Sequence, residues 1–422
     1  MLRSLFSAIS GLQAHQTKMD VVGNNIANVN TVGYKSSTTV FEDTLSQLLR
    51  NGSGPTSTTA GTNPAQVGLG VKVGEITTNF SQGSTQSTGR ATDFMISGDG
   101  FFVTQVGNEQ QYTRAGSFDL DATGRLVTPD GGMLQGWLVD PATGKVNTNG
   151  PTTDLKVPFG QTIAPTATKN STIAGNLDSQ SPVGTTVQTS ITMYDSEGSA
   201  HPVNYTFTKT AAGWDMQALN SAGTPLAFTD NTGAPLVPAT TTQPVTFNSS
   251  GVMTSPTAPS DFYVDPGVAG WTAPVDIDLS GVTQFGGEST ALAKTPVTGG
   301  GSAMGTLQSF SLGDDGSITG VYSNGQRQLI GQLALATFAN PAGLTKAGNS
   351  SYRVGDNSGD PQVGIAGSGG RGTLTAGALE MSNVDLSQEF TGLIIAQRGF
   401  QANSKVITTS DQILQDLVQM KQ

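Results

Sequence analysis

The stretch from Met1 to Lys35, MLRSLFSAISGLQAHQTKMDVVGNNIANVNTVGYK, decides the fold because its apolar residues recur at spacings of three and four. These spacings place the side chains on one stripe of a helix, and such a stripe is stable only against another helix. The stripe consists of Leu2, Leu5, Ile9, Leu12, Met19 and Ile26. The sequence therefore predicts a long amino-terminal helix that packs against other helices.

A similar stripe near the carboxyl terminus predicts a partner for the first helix. Asp385 is a candidate N-cap of a second long helix, and Gln388 follows three residues later, as in a capping box. The apolar residues of this second stripe are Leu386, Phe390, Leu393, Phe400, Ile407 and Leu414. At about 1.5 Å per residue the two helices would be roughly 40 to 50 Å long, which is too long for one small domain.

Two interpretations of the stripes remain open at this point. The helices either form a closed hairpin that fastens the chain ends together, or they form a seam through which many copies assemble. Polar or small residues occupy seam positions where a stable two-stranded coil prefers Leu or Ile. These residues are Gln16, Gly23, Gln397, Ser404 and Asp411. Such mixed faces are typical of a helix that packs against several neighbours or that orders only upon assembly.

Segments at both ends of the chain resemble one known family, the bacterial flagellar rod and hook axial proteins. The first are SGLQ at 10–13 and NNIANVNTVGYK at 24–35, and the last are SNVDL at 382–386, AQRGFQAN at 396–403 and TSDQIL at 409–414. The stretch ISGDGFFV at 96–103 also resembles the first β domain of that family. The residues that carry the end motifs are Asn24, Asn25, Ala27, Asn28, Thr31, Gly33, Tyr34, Lys35, Asn383, Asp385, Gln397, Arg398 and Asn403.

The resemblance implies a structural protein of the bacterial flagellum. Hook subunits of this family polymerise into a flexible, curved tube that couples the rod to the filament and transmits torque. The implied partners are further copies of the chain, the distal rod protein, the hook cap, the hook–filament junction proteins and the flagellar type III export apparatus. The implied location is extracellular, in the flagellum.

Within the family, a distal rod protein is the alternative, although rod proteins generally lack a large inserted domain. From another class, the alternative is a surface adhesin that binds its ligand as a monomer.

The end of the first helix also has a physical interpretation. The three asparagines of Asn24–Asn28 are poor helix formers, and their amides can bond along the backbone or to a neighbouring subunit. Thr31 and Gly33 then supply helix-terminating chemistry. The alternative is a frayed and solvated helix end.

Composition favours a structural protein over an enzyme. Of 422 residues only 12 % are charged, 55 are glycine and none is cysteine, which excludes disulfides, thiolate nucleophiles and cysteine-ligated metals. The net charge is −11 and most of it lies between residues 51 and 378, so nothing favours nucleic acid or an anionic membrane as a partner. The amino terminus lacks the pattern of a cleaved signal peptide, and no apolar run is long enough to span a bilayer.

The sequence predicts a mainly β protein with terminal α-helices and nested domains. Alternating apolar patterns separated by turn signals predict strands from Val71 onward. We predict a helical, coiled-coil-like domain (1–30 and 385–422), an extended linker (31–70 and 355–384), a first β domain (71–147 and 299–354) and an inserted outer β domain (148–298). Hinges are predicted at 140–144 and 299–301. The predicted large core or interface residues of the outer domain are Trp214, Phe262, Tyr263 and Trp271.

The sequence offers no catalytic, metal or cofactor site. His15 and His201 lie far apart in the predicted topology, and His201 is predicted to lie in a surface loop. Dinucleotide binding at the GxGxxG pattern of 367–372 would require a strand before it and a helix that opens within it, whereas here the flanks are rich in glycine and the stretch TLTA follows. The DLDATG stretch at 119–124 lacks the later ligands of a calcium loop and is predicted to be a hairpin turn.

Overall fold

Two α-helices lie near the ends of the described chain, α1 (Leu2–Ala27) and α2 (Leu386–Gln419). The computed structural model describes residues 2–55, 60–140, 143–230, 233–234, 241–256, 263–265, 271, 274–294 and 299–420. Helix α1 ends before the predicted terminating residues, and Gly33 has a left-handed φ of 67°. Helix α2 begins at its predicted N-cap, because Asp385 accepts hydrogen bonds from the backbone N–H groups of Ser387 and Gln388. Both predicted helices are therefore confirmed.

The described residues form two compact units. The first unit comprises Met1–Val157, Phe310–Thr319 and Leu329–Gln422, and the second comprises Pro158–Ser309 and Gly320–Gln328. Both helices belong to the first unit. The division into four nested parts with hinges stays a prediction.

Strands occupy most of the chain between the helices. The first twelve are β1 (Ser37–Asp43), β2 (Ser46–Arg50), β3 (Ala65–Gly68), β4 (Val71–Thr78), β5 (Thr85–Ser87), β6 (Phe94–Ser97), β7 (Phe101–Val106), β8 (Glu109–Thr113), β9 (Asp119–Leu120), β10 (Leu126–Val127), β11 (Met133–Leu138) and β12 (Thr153–Asp154). The next eleven are β13 (Thr162–Ile163), β14 (Asn170–Asn176), β15 (Thr186–Tyr194), β16 (Ala200–Lys209), β17 (Trp214–Leu219), β18 (Phe228–Thr229), β19 (Thr242–Phe247), β20 (Met253–Ser255), β21 (Tyr263–Val264), β22 (Val275–Thr283) and β23 (Thr290–Lys294). The last nine are β24 (Gly305–Leu312), β25 (Ser317–Tyr322), β26 (Arg327–Leu333), β27 (Leu335–Thr337), β28 (Thr345–Gly348), β29 (Ser351–Arg353), β30 (Gln362–Gly364), β31 (Thr373–Ala376) and β32 (Ala378–Glu380).

The first unit contains an antiparallel sheet in which β11, β7, β8, β29 and β28 are neighbours in that order. Its core is rich in aromatic side chains, which pack mostly edge to face, as Tyr112 does on Phe338 at 4.8 Å between ring centroids. Short antiparallel pairs connect distant parts of the chain, namely β1 with β4, β5 with β32 and β6 with β31. The segments predicted to be linkers thus contain paired strands.

The second unit contains, in its described residues, two five-stranded sheets that share one core. Their orders are β18-β21-β22-β14-β23 and β15-β16-β17-β19-β20, and β14 is parallel to β22. Trp214 is fully buried in this core, Trp271 packs against it and Tyr263 is half-buried. Phe262 lies outside the described residues. The predicted hinge at 299–301 is hydrogen-bonded, because Lys169 and Asn170 donate their backbone N–H groups to the carbonyl of Gly299.

Candidate assembly site

Small side chains join α1 to α2. The buried residues of this seam include Ala8, Gly11 and Ala396, and a Cβ added at Gly11 would lie 2.8 Å from the Asn403 side chain. Successive contacts run in opposite directions along the two helices. They pair Gly11 with Asn403, His15 with Gly399, Val22 with Gly392, and Asn25 with Glu389. The helices are therefore antiparallel, and the glycine in each of the first three pairs lets them approach closely.

A histidine interrupts this seam of small residues. The His15 ring lies against Gly399, and among the described residues its Nδ1 atom has no hydrogen-bond partner. Burial, followed by the positive charge of Lys18, lowers the pKa of His15 below its ordinary value of 6.5. The neutral imidazole is thus the form that the seam favours.

We expect the helix pair to lose stability as the pH falls below the ordinary histidine value of 6.5. Because the folded-state pKa of His15 is lowered, the unfolded chain binds the proton first, and the loss continues until the pH passes the folded pKa. Denaturant unfolding followed by helical circular dichroism between about pH 8 and pH 5 measures this loss. His15→Gln is the control that lacks the titrating ring. A stability difference between the two proteins that stays constant across this range would contradict the prediction.

The predicted apolar stripes lie beside the seam. Several stripe residues directly follow a seam residue, as Leu12 follows Gly11 and Phe400 follows Gly399. Half-buried stripe residues are Leu5, Leu12, Met19, Ile26, Leu393, Phe400 and Ile407. Exposed ones are Ile9 (36 %), Leu386 (40 %), Phe390 (50 %) and Leu414 (36 %), and the side chain of Leu2 lies outside the described residues. None of the described stripe residues is fully buried in the single chain, and their role in assembly stays a prediction.

Both stripes lie on the same side of the helical hairpin. One residue advances about 100° round an α-helix, and in an antiparallel pair the same rotation away from the shared seam leads to the same side. Ser10, two residues before Leu12, lies on another side of α1, where its Oγ accepts a hydrogen bond from the Val71 N–H at 3.3 Å. The β1–β4 ribbon thus contacts one side of α1, while the opposite side carries the large apolar residues of the stripes.

The end of α1 is fixed by a buried amide. Asn25 donates from Nδ2 to the Ser37 carbonyl at 2.8 Å and to Glu389 Oε1 at 2.9 Å, and its Oδ1 accepts from the Ser37 N–H at 3.0 Å. Tyr34 donates its hydroxyl to Asn24 Oδ1 at 2.7 Å. One side chain thereby connects α1, β1 and α2. In the described residues this end of α1 is a junction rather than a frayed terminus.

The other asparagines of the motif stabilise the neighbouring backbone. Asn28 donates from Nδ2 to the Asn24 carbonyl at 2.9 Å and accepts from the Thr31 hydroxyl at 3.0 Å. Asn383 accepts from the Ser36 N–H at 2.8 Å and donates to the Asn79 carbonyl at 2.8 Å. These bonds hold the turn after α1 and attach the segment before α2 to the β1–β4 ribbon.

Gly33 occupies a position that no other residue fits. Its φ of 67° is left-handed, and an added Cβ would overlap the backbone of Ala115. Its N–H donates to the Glu380 carbonyl at 2.8 Å. The motif glycine therefore lets the turn after α1 approach the strands closely.

Gly33→Ala should lower the free energy of unfolding by about 2–5 kcal/mol, because left-handed strain and steric overlap both oppose it. Gly89→Ala is a matched control, since Gly89 has a φ of 70° and nothing lies within 4 Å of an added Cβ. This control should cost only about 1–2 kcal/mol. Denaturant unfolding of both variants measures the difference, and equal losses would contradict the close approach.

Lys35, the last residue of the first end motif, belongs to a buried cluster of three charged side chains. Lys35 Nζ donates to Glu380 Oε1 at 2.6 Å and to the Ser81 carbonyl at 2.7 Å, and Arg114 Nη1 donates to Glu380 Oε2 at 3.3 Å. The side chains of Lys35 and Glu380 are fully buried, and that of Arg114 is 2 % exposed. Burial lowers the pKa of Lys35, although its bond to Glu380 opposes that shift. The cluster joins three segments that are distant in sequence.

The remaining motif residues lie on the helices. Asp385 caps α2, and Asn403 is half-buried in the seam, where it donates to the Gly399 carbonyl at 3.0 Å. Ala27, Gln397 and Arg398 are exposed.

Sequence reasoning missed Glu380 and Arg114. The available signal was that each is a charged residue in an apolar or strand-like stretch of a chain that is only 12 % charged.

The prediction that His201 lies in a surface loop is wrong. It lies in β16, is 28 % exposed, and its Nε2 is 2.9 Å from Asp195 Oδ2. The predicted hairpin turn at 119–124 is confirmed, because Asp121 accepts the backbone N–H groups of Thr123 and Arg125 between paired strands β9 and β10.

Ionisable side chains do not gather in a metal-binding pattern where the structure describes them. In those parts of the chain, three or more His, Cys, Asp or Glu residues nowhere group so as to hold a metal ion. Neither described helix has the length and apolarity to cross a membrane.

Four protein-family models match successive parts of the chain. They are described as Flagella basal body rod protein (residues 5–35), Flagellar hook protein FlgE/F/G D1 domain (residues 95–176), Flagellar basal body protein FlaE D2 domain (residues 164–296) and Flagellar basal body rod FlgEFG protein C-terminal (residues 375–420).

Similar proteins extend over the whole chain. The flagellar hook protein FlgE of Borreliella burgdorferi is 40 % identical over 457 positions, and that of Treponema pallidum is 39 % identical over 465, each covering 100 % of both chains. The flagellar basal-body rod protein FlgG of Bacillus subtilis is 34 % identical over 422 positions and also covers 100 % of both.

Proposed function

Because the chain belongs to the flagellar hook protein family and is a structural subunit of the hook, we propose that it polymerises through the apolar stripes of α1 and α2. The observation that carries this proposal is the position of the large apolar side chains. Glycines lie at three of the contacts between the helices, while Phe390 is 50 % exposed and the other described stripe residues are exposed or half-buried. A helical hairpin with such a face gains stability by burying it against hairpins of neighbouring copies.

The polymer would be the flexible, curved tube that couples the rod to the filament and transmits torque. The buried junction supports this role, since Asn25 and the Lys35–Glu380–Arg114 cluster tie both helices to the strands of the first unit. A torque applied to the helices would therefore pass to those strands without unfolding the connection. The rod protein is the less favoured alternative, because the hook proteins of Borreliella burgdorferi and Treponema pallidum are 39–40 % identical to the chain and the rod protein of Bacillus subtilis is 34 % identical.

The proposed partners are those of a hook subunit. They are further copies of the chain, the distal rod protein, the hook cap, the hook–filament junction proteins and the flagellar type III export apparatus. Export through that apparatus would need no cleaved signal peptide, and the proposed location is the extracellular part of the flagellum.

Electron microscopy of basal bodies from cells that lack the gene tests the proposal. We expect rods that end without a hook, and the full-length chain should restore curved hooks. Loss of the distal rod would favour the rod alternative instead. Intact hooks that carry filaments would contradict both, and restored hooks that are straight and rigid would contradict the flexible-joint role.

A further inference from the structure

The charges of the buried Lys35–Glu380–Arg114 cluster do not balance. Lys35 and Arg114 share Glu380, which is the single carboxylate that the described residues bring within salt-bridge distance of either cation. Arg114 Nε is buried and has no hydrogen-bond partner in the described part of the chain. A buried charge or donor without a partner costs several kcal/mol, so buried groups are nearly always paired. The cluster therefore has one excess positive charge and one unused donor.

A cavity of about 370 Å³ lies beside this cluster. Arg114 lines it together with Phe80, Phe101 and Phe338, and the Arg114 guanidinium lies 5.3 Å from the centre of the Phe101 ring. The aromatic walls lower the local dielectric constant, which strengthens the attraction between Arg114 and an anion.

Two glycines line the same cavity. Gly369 and Gly370 have left-handed φ angles of 61° and 80°, and both are exposed. Without a Cβ, the backbone of glycine lets an anion approach its N–H groups closely. The glycines belong to the GxGxxG stretch, which sequence reasoning set aside as a nucleotide site.

We propose that this cavity binds one carboxylate group, attracted by the positive charge of the Arg114 guanidinium and hydrogen-bonded by the backbone N–H groups of Gly369 and Gly370. A monoanion fits because the cluster has one excess positive charge, whereas a phosphate dianion would overcompensate it. The carboxylate is supplied either by a small organic acid in solution or by an acidic side chain of a second copy of the chain.

Asp99 makes the proposal testable without disturbing the buried cluster. It also lines the cavity, and it is exposed, so its carboxylate opposes the entry of an anion. Asp99→Asn should therefore tighten binding roughly threefold, as expected for removing one like charge in a solvated position. Asp360→Asn is the matched control, because Asp360 is equally exposed and does not line the cavity.

Titration of the full-length, monomeric protein with sodium formate provides the measurement. Sodium sulfate holds the ionic strength constant, and nuclear magnetic resonance follows the N–H signals of Gly369, Gly370 and Arg114 Nε. We expect saturable shifts at these three groups with a dissociation constant in the roughly millimolar range, tighter in Asp99→Asn and unchanged in Asp360→Asn.

Two results would overturn the proposal. One is the absence of saturable shifts in both the wild type and Asp99→Asn. The other is a Lys35 side chain that is neutral near pH 7, because the excess charge would then be relieved without an anion. If the shifts occur, polymerisation in excess formate identifies the source. Weakened polymerisation assigns the carboxylate to a second copy, and unchanged polymerisation assigns it to a small organic acid.

Discussion

Glu380→Ala should lower the free energy of unfolding of the first unit by about 3–5 kcal/mol, the largest stability effect that we expect of a single substitution. The variant leaves Lys35 and Arg114 buried without their shared carboxylate. It also removes the acceptor of the Gly83 N–H, which donates to Glu380 Oε1 at 2.9 Å. The loss thus combines two unpaired charges with an unmade hydrogen bond.

Helical circular dichroism in denaturant measures this effect, because both described helices belong to the first unit. Glu109→Ala is a matched control. Glu109 also pairs with an arginine, Arg353, at 2.9 Å, but the two side chains are about half exposed. An exposed pair of this kind contributes about 0–1 kcal/mol. Similar losses in the two variants would show that burial of the cluster does not decide its contribution.

Phe390→Asp should raise the critical concentration for polymerisation roughly 10- to 100-fold. Burying a phenylalanine contributes about 1.5–3 kcal/mol, and every 1.4 kcal/mol changes an equilibrium constant tenfold. An aspartate at that position would in addition have to lose its hydration. Because half of the Phe390 side chain is exposed in the single chain, we expect the monomer to keep its helix content.

Sedimentation of polymer over a range of protein concentrations measures the critical concentration. Phe285→Asp is the matched control, since Phe285 is 53 % exposed, close to the 50 % of Phe390, but lies in the second unit. This control should polymerise like the wild type. If both variants polymerise equally well, the stripes do not form the contact between copies. If Phe390→Asp loses helix content as a monomer, its effect on assembly cannot be attributed to that contact.

Local chemistry was predictable from the sequence. The N-cap at Asp385, the turn at Gly33 and the hairpin at Asp121 depend on residues within a few positions of one another. The local sequence is therefore enough to predict the backbone conformation at each of them. The mainly β fold with terminal helices followed from hydrophobic periodicity.

Close packing of small residues was not predictable in the same way. Periodicity gives weight to large apolar side chains, so it identified the stripe at Leu12 and Phe400 rather than the seam at Gly11 and Gly399. A glycine contributes no apolar signal, although it is what lets two helices approach. The pairing of His201 with Asp195 was missed because His201 precedes Pro202, a dipeptide that reads as a loop but lies within β16.

The buried charge cluster was hidden for another reason. Its members lie on three distant segments, and the sequence alone does not indicate that a charged residue is buried. Only the fold shows that Arg114 and Lys35 meet at Glu380.

The separation between Lys35 and Glu380 has a consequence for the time course of folding. The two residues are 345 positions apart, so their contact closes a loop that contains most of the chain. Contacts of such high order form late, because loop closure costs entropy before the contact repays it. A truncated chain that ends before Glu380 leaves two cations to be buried without a counter-charge. The cluster can therefore close only in a chain that extends at least to Glu380, so its formation distinguishes such chains from shorter ones.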